Sequence, residues 1–187
     1  MTAENPKHPE NPKNSKNSKN SKNSKNSKNA PGHSVDEDAP VVVRLSTTVD
    51  APLATVWALH TDIGSWADWN TDIDSVDFDG PLAPGASFRW LTHGLDITST
   101  IREVVPGERI VWGGPAHGIE GVHVWTFEEN CERTGEAATG ERTVTVRTEE
   151  SWAGAPIEER PDEMREALRQ SLESWLSRLR SEAERRA

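Results

Sequence analysis

From Ser87 to Trp152 apolar and polar side chains alternate through a series of short runs, and an amphipathic stretch from about Asp162 to Ala183 follows. Alternation gives each β-strand one apolar face, and a sheet with one apolar face has to be covered by another layer. The sequence therefore predicts a curved antiparallel sheet closed by a long C-terminal helix, with a cavity for a small apolar molecule between them. The apolar stripe of that helix consists of Met164, Leu168, Leu172, Trp175, Leu179 and Ala183.

The rest of the domain is predicted from β-branched runs and turn residues. A strand at 40–49 precedes two short helices, the first beginning near Leu53 and the second at 63–70. Gly and Pro residues, including Gly113 and Gly114, are interpreted as separators between later strands. These elements make an α+β domain of about seven strands spanning residues 39–187. The later strands are expected at 73–78, 87–92, 97–105, 109–112, 121–128 and 143–152.

Residues 1–38 differ from the rest in composition. The triplet Asn-Ser-Lys repeats five times between Asn14 and Lys28, and all seven Lys of the chain lie in this tail. A segment with no apolar side chains to bury is expected to be disordered. It is either a solvated extension without a role or an electrostatic tether to an acidic partner.

The folded part excludes several classes of function. Residues 30–187 carry 14 Arg and 29 acidic residues, a net charge of −15, which argues against nucleic-acid binding or anionic lipid docking through the domain. Cys131 is the only cysteine, so no intramolecular disulfide can form. The acidic run at 72–79 lacks the spacing of a calcium loop and is interpreted as the edge of a sheet. We expect no metal, no cofactor and no membrane span, and a cytoplasmic location.

Two polar residues stand out on inward-facing strand positions. His123 shares a face with Trp125 and Phe127, and Glu150 shares one with Thr148 on the next strand. If Phe127 lies opposite Val144, His123 meets Thr148 and Glu150 lies diagonal to His123. The two residues form either a catalytic acid/base pair or a buried polar pair that satisfies itself.

The chain has eight Trp and no Tyr. Each Trp taken singly is best interpreted as a residue of the hydrophobic core. As a set, the Trp residues favour a planar or ring-bearing ligand. His117 lies in a Gly-rich loop that could form the mouth of a cavity, whereas His93 is expected to face solvent. The predicted ligand-binding residues are Trp69, Trp90, Trp112, His117, His123, Trp125, Thr148 and Trp152.

Several segments follow one another in an order that is typical of a known superfamily. They are Val49–Pro52 with Val56, Trp57, Asp62 and Trp69, then Gly85 with Phe88–Trp90, Glu103–Trp112, Gly121–Glu128 and Glu149–Gly154. In this order they resemble the START-like or SRPBCC superfamily, often described as polyketide cyclase/dehydrase and lipid transport. The resemblance covers residues 40 to 185 and implies a helix-grip fold with a deep apolar cavity. Its members bind lipids, hormones or polyketides, and some catalyse cyclisation or dehydration, so the fold alone does not decide the function.

Three hypotheses follow. The first is a binding or carrier protein for a hydrophobic, ring-containing small molecule between sheet and C-terminal helix. The second is an aromatase/cyclase-type enzyme on a polyketide-like substrate, with His123 as general base and Glu150 as its partner. The third is an interaction module that acts through the basic tail. The sequence leaves the oligomeric state open.

Overall fold

The computed structural model describes residues 2, 33–131 and 142–187. The Asn-Ser-Lys repeats and most of the polar loop predicted before the last strand lie outside these ranges. The described part contains a seven-stranded antiparallel sheet, four α-helices and one 3-10 turn at Ile63–Ser65. The elements are β1 (Val41–Val49), α1 (Leu53–Thr61), α2 (Trp66–Trp69), β2 (Ile73–Asp77), β3 (Ser87–Thr92), β4 (Leu95–Val105), β5 (Arg109–Ala116), β6 (Ile119–Cys131), β7 (Arg142–Ala153), α3 (Ala155–Glu158) and α4 (Pro161–Arg186).

The strand order is β1-β7-β6-β5-β4-β3-β2. Strands β2 to β7 pair with their neighbours in sequence, whereas β1 pairs with β7. The chain therefore crosses from one edge to the other through α1 and α2 and then returns strand by strand. Bulges in β2 and β4 interrupt the pairing between Ile73 and Ser75 and between Ile101 and Glu103, and such bulges bend a strand.

The concave face of the sheet is covered in two parts. At one end α1 and α2 pack with the second half of α4 on a continuous core that contains Trp66, Trp125 and Leu179. At the other end Leu168 and Leu172 of α4 pack on the beginning of β1 and on Ile157 of α3. The predicted α+β fold, its seven strands and the long closing helix are confirmed.

A short segment before β1 covers part of the convex face. Val35 is buried there against Val111, Val122 and Val124, whose side chains point away from α4. The Asp36 backbone N–H donates to the Ser151 hydroxyl oxygen at 3.0 Å. These contacts come from residues just ahead of the boundary predicted between residues 38 and 39.

Two differences from the predicted elements affect the cavity. Strand β5 continues through Gly113 and Gly114 to Ala116, so these glycines are part of the sheet and not a separator. Gly113 approaches β6 so closely that a Cβ atom there would lie 2.1 Å from the Gly121 carbonyl oxygen, which explains glycine at this position. The short helix α3 was not predicted; it follows Gly154, whose φ of 121° is rarely adopted by other residues.

Candidate functional site

A cavity of about 610 Å³ lies between the sheet and α4. Its size falls in the range of about 300–1,000 Å³ that is typical of small-molecule sites. Paired glycines explain the empty space, because Gly114 on β5 lies opposite Gly121 on β6 and neither has a side chain to fill the concave face. Further along the same strands Trp112, Trp125 and Phe127 fill that face.

Aromatic side chains form much of the cavity wall. Trp90, Trp112 and Trp152 come from the sheet, and Trp175 comes from α4. The Trp175 ring lies 5.8 Å from Trp90 and 6.4 Å from Trp112, centroid to centroid. The arrangement offers ring edges and faces to a bound molecule from both layers of the fold.

His123 and Glu150 meet in the wall, where β6 and β7 place them directly opposite each other. The distance from His123 Nδ1 to Glu150 Oε2 is 3.2 Å. The predicted register was wrong by two residues, because Phe127 lies opposite Val146 and not Val144. The pairing is therefore direct where a diagonal one was predicted.

Both ring nitrogens of His123 contact the protein. Its Nε2 lies 2.8 Å from the hydroxyl oxygen of Thr148, which is fully buried behind it. Glu150 accepts a hydrogen bond from the Trp152 indole N–H at 2.7 Å, and its side chain keeps 15% exposure. Of the pair, Glu150 is the residue whose proton a molecule in the cavity can reach.

Burial shifts the titration of both residues. Desolvation lowers the pKa of His123 well below its usual range, and the neighbouring His60 lowers it further. Burial raises the pKa of Glu150 to about 7, although the Trp152 hydrogen bond opposes the shift. Near neutral pH the imidazole is uncharged, and the raised pKa brings the carboxyl group of Glu150 towards the range in which a group can both give and take a proton.

A second polar group lies where the start of β2 meets α4. The Asp72 carboxylate accepts hydrogen bonds from the Ser174 hydroxyl at 2.6 Å and from Arg178 Nη2 at 2.9 Å. Burial alone would raise the pKa of Asp72, but these bonds outweigh it and hold the pKa below its ordinary value. Asp72 is therefore a partly buried ion-pair partner, whereas we interpreted it from the sequence as part of an acidic sheet edge. The other acidic residues of that run do follow an edge strand, β2.

The mouth of the cavity is formed by two hairpin turns. His93 and Gly94 connect β3 to β4, His117 and Gly118 connect β5 to β6, and all four have positive φ. Such turns hold antiparallel strands in close pairing. His93 and His117 line the cavity and are exposed, as are Ala167 and Gln170 of α4, so the cavity reaches the surface at this end of the fold.

Three of the predicted ligand-binding residues lie outside the cavity wall. Trp69 and Trp125 belong to the filled part of the core, and Thr148 lies behind His123. The reason is that α1 and α2 cover that end of the concave face completely, which strand periodicity does not reveal. Trp90, Trp112, His117, His123, Glu150 and Trp152 do line the cavity.

Other wall residues were not predicted. Trp175 belongs to the apolar stripe of α4, which was interpreted only as core, and Asn70 follows α2 without any motif. Gly114 and Gly121 could have indicated the position of the cavity, since glycines paired within a sheet leave space on its face.

The fold and the cavity define a helix-grip protein, in which a bent sheet and a long C-terminal helix enclose an internal pocket. The chain belongs to the polyketide cyclase / dehydrase and lipid transport family, whose model matches residues 40–184. No curated protein matches the chain.

Solved structures share this fold at low sequence identity. Protein jhp0584 from Helicobacter pylori is 18% identical with a TM-score of 0.63, over 83% of this chain and 92% of that chain. A START superfamily protein from Mycobacterium smegmatis is 11% identical with a TM-score of 0.60, over 78% of this chain and 99% of that chain. The di-domain ARO/CYC protein StfQ of the steffimycin biosynthetic pathway is 18% identical with a TM-score of 0.57, over 77% of this chain but 45% of StfQ. In the described part of this chain, no helix has the length and apolar character needed to cross a membrane.

Proposed function

We propose that the protein binds a hydrophobic, ring-containing small molecule in the cavity between the sheet and α4. The observation that carries the proposal is the vacant space of about 610 Å³ beside Trp90, Trp112, Trp152 and Trp175. An aromatic group about as large as a tryptophan side chain buries about 150–250 Å². At about 25 cal/mol per Å² this burial contributes about 4–6 kcal/mol before ordering costs.

Filling the cavity from Gly121 should abolish binding. A Cβ atom at Gly121 would make only ordinary contacts, 3.7 Å to Trp152 Cδ1 and 3.9 Å to the Gly114 carbonyl oxygen. In Gly121→Phe the ring then occupies the space that the paired glycines leave open. We expect the affinity for 9-fluorenone, a three-ring probe, to fall by more than about tenfold, or about 1.4 kcal/mol, in equilibrium dialysis.

The matched control is Gly121→Ala, which adds one methyl group and leaves most of the cavity open. It should bind 9-fluorenone within about threefold of the parent protein, a difference below about 1 kcal/mol. Equal binding by Gly121→Phe would place the probe outside this cavity. Absence of binding by the parent protein to every ring compound tried, together with no co-purified molecule in native mass spectrometry, would contradict the proposal.

A second candidate function is supported by the contact between His123 and Glu150. A carboxyl group whose pKa is raised by burial, next to an uncharged imidazole in an apolar wall, can move a proton on a bound carbonyl compound, as an aldol cyclisation requires. The His123 side chain is 5% exposed and both of its nitrogens are engaged, whereas the Glu150 side chain is 15% exposed and each of its carboxyl oxygens keeps a lone pair beyond its contact with Trp152 or His123. We therefore assign the proton transfer to Glu150. His123 then positions Glu150, which reverses the roles predicted from the sequence.

This second function predicts a specific loss in Glu150→Gln. The amide fills the same space but neither takes nor supplies the proton, so cyclisation should slow by about 10²–10⁴-fold while 9-fluorenone affinity stays within about threefold. Turnover of a linear β-triketone thioester of N-acetylcysteamine, followed by liquid chromatography and mass spectrometry, measures it. Glu149→Gln is the control, because Glu149 pairs with Arg44 on the outer side of the sheet. A parent protein that is no faster than buffer would leave only the binding function.

A further inference from the structure

The charged groups in the cavity wall are acidic. Asp72 and Glu150 line the cavity, and no Lys or Arg side chain lines it in the part of the chain that the structure describes. Residues 30–187 also carry a net charge of −15, so the field of the whole domain adds to that of the wall. The interior of the cavity therefore disfavours an anionic ligand.

The two carboxylates differ in their partners. Asp72 already has a counter-ion, because its Oδ1 lies 2.9 Å from Nη2 of Arg178. Glu150 accepts a hydrogen bond from the Trp152 indole N–H, and its Oε2 lies 3.2 Å from Nδ1 of His123. Burial lowers the pKa of His123, so that imidazole is uncharged near neutral pH. Among the described residues, Glu150 is thus the wall carboxylate that no cation neutralises.

The exposed part of Glu150 lies inside the cavity. Strand β7 runs between β1 and β6, where Glu150 pairs with Val43 on one side and with His123 on the other. Its side chain is on the same face of β7 as Trp152, and both line the cavity. The side chain keeps 15% exposure, and each carboxyl oxygen keeps a lone pair beyond its contact with Trp152 or His123. A ligand in the cavity can therefore reach the carboxylate.

The surroundings of Glu150 make a counter-ion valuable. The residues that α4 contributes to the wall are all uncharged, and two of them, Leu168 and Leu172, pack with Val43 beside Glu150. A carboxylate in such a setting is costly unless a cation pairs with it. Burial accordingly raises the pKa of Glu150 to about 7.

An ammonium group has the chemistry that this part of the wall lacks. It supplies a positive charge and several N–H donors, and hydrogen bonds between charged partners are about twice as strong as neutral ones. Indole faces attract cations as well, and the Trp152 indole is in direct contact with the carboxylate of Glu150. A ring compound with an amine can therefore use the aromatic walls and the carboxylate together.

We infer that the ring compound bound in the cavity carries a protonated amine that pairs with Glu150, so that the protein prefers amines to neutral molecules of the same shape and excludes carboxylic acids. The inference rests on the proposed binding function and specifies the chemical class of the ligand. Glu150 stays ionised beside a bound ammonium group, so such a ligand belongs to the binding function and not to the cyclisation.

The test compares three probes that share the fluorene ring system and differ in one substituent. The amine 9-(aminomethyl)fluorene is a cation, 9-fluorenylmethanol is a neutral molecule of nearly the same shape, and fluorene-9-carboxylic acid is an anion. At about pH 8 the amine is protonated and Glu150 is mostly ionised. We expect the parent protein to bind the amine about tenfold more tightly than the alcohol, and the acid about tenfold more weakly, in equilibrium dialysis.

Two variants with the same change in net charge separate a local ion pair from the general field of the domain. Glu150→Gln removes the carboxylate and keeps the size of the side chain, so the dissociation constants of amine and alcohol should come within about threefold of each other. Glu149→Gln is the matched control, because Glu149 is the next residue and pairs with Arg44 on the outer side of the sheet. It should keep the parent ratio. Both variants should bind the uncharged probe 9-fluorenone within about threefold of the parent protein, which also verifies that they fold.

The outcomes separate this inference from the binding function. An amine preference that is lost in Glu150→Gln and kept in Glu149→Gln supports the inference. Equal binding of amine and alcohol by the parent protein, tighter binding of the acid, or an amine preference that survives in Glu150→Gln overturns it. A preference that falls equally in both variants also overturns it, because the field of the domain would then be the cause. In each of these cases binding of 9-fluorenone leaves the binding function intact, whereas failure of all four probes to bind overturns both.

Discussion

Replacing His60 by Leu should make the protein more resistant to acid. Between pH 7 and pH 5 the free energy of unfolding of the parent protein should fall by about 2 kcal/mol more than that of His60→Leu. His60 is fully buried on α1, and its ring lies 4.4 Å from Trp125 and 5.3 Å from Phe127. Among the residues that the structure describes, neither of its ring nitrogens has a hydrogen-bond partner. An imidazole in such surroundings has no group that stabilises its charged form.

The direction of this pH dependence follows from the pKa of His60 in the folded and in the unfolded chain. Burial lowers the pKa of His60 in the folded protein from 6.5 to about 3. Between these values the unfolded chain binds a proton at His60 and the folded protein does not, so stability falls as the pH decreases from 6.5 towards 3. Each pH unit within that window costs about 1.4 kcal/mol, and Leu at this position removes the dependence.

Urea denaturation of both proteins at pH 7 and pH 5 measures the effect. The quantity compared is the change in the free energy of unfolding between the two pH values. Leu also alters the packing of the core, but that effect is the same at both pH values and cancels. Burial lowers the pKa of His123 as well, so both proteins should retain some acid sensitivity. His93→Asn is the control, because His93 is exposed at a turn. Its free energy of unfolding should change between pH 7 and pH 5 by the same amount as that of the parent protein. Parallel curves for the parent protein and His60→Leu would show that His60 is hydrated or paired in solution.

Truncating Trp112 to Ala should cause a loss of about 3–5 kcal/mol in the free energy of unfolding, the range measured for buried Trp and Phe. Trp112 is 2% exposed and lies between the filled and the vacant halves of the concave face. Its ring is 4.9 Å from His123 and 5.5 Å from Trp66. Removing it leaves a hole that joins the existing cavity and that the rigid sheet cannot close.

Thermal and urea unfolding at pH 7 test this prediction, with a decrease in Tm of about 10 °C expected. Trp57→Ala is the control, because Trp57 is only half-buried on α1, where its ring contacts Phe127 at 5.4 Å. The loss of free energy of unfolding in Trp57→Ala should be smaller than that in Trp112→Ala by about 2 kcal/mol. Equal losses in the two variants would contradict the prediction, because the buried Trp112 would then contribute no more to the free energy of unfolding than the half-buried Trp57.

The predictable part of the fold rests on local patterns. Alternating side chains predicted each strand, and the repeat of Leu168, Leu172 and Leu179 predicted α4, because burial of one face imposes a period on any strand or helix. Cavity residues on strands were predicted where alternation was enough, as for Trp90 and Trp152. The register of β6 against β7 was wrong, because the alternation of side chains is unchanged when a strand shifts by two residues.

The sequence by itself determined which side chains face inward, since the periods of strand and helix are local properties of the backbone. It did not determine which inward side chains are buried in core and which border empty space. That depended on where α1, α2 and α4 cover the sheet, so Trp125 became core while Trp112 borders the cavity. Only tertiary packing brought His123 directly opposite Glu150 and set α4 across the sheet from Trp112, because both depend on contacts between segments far apart in the chain.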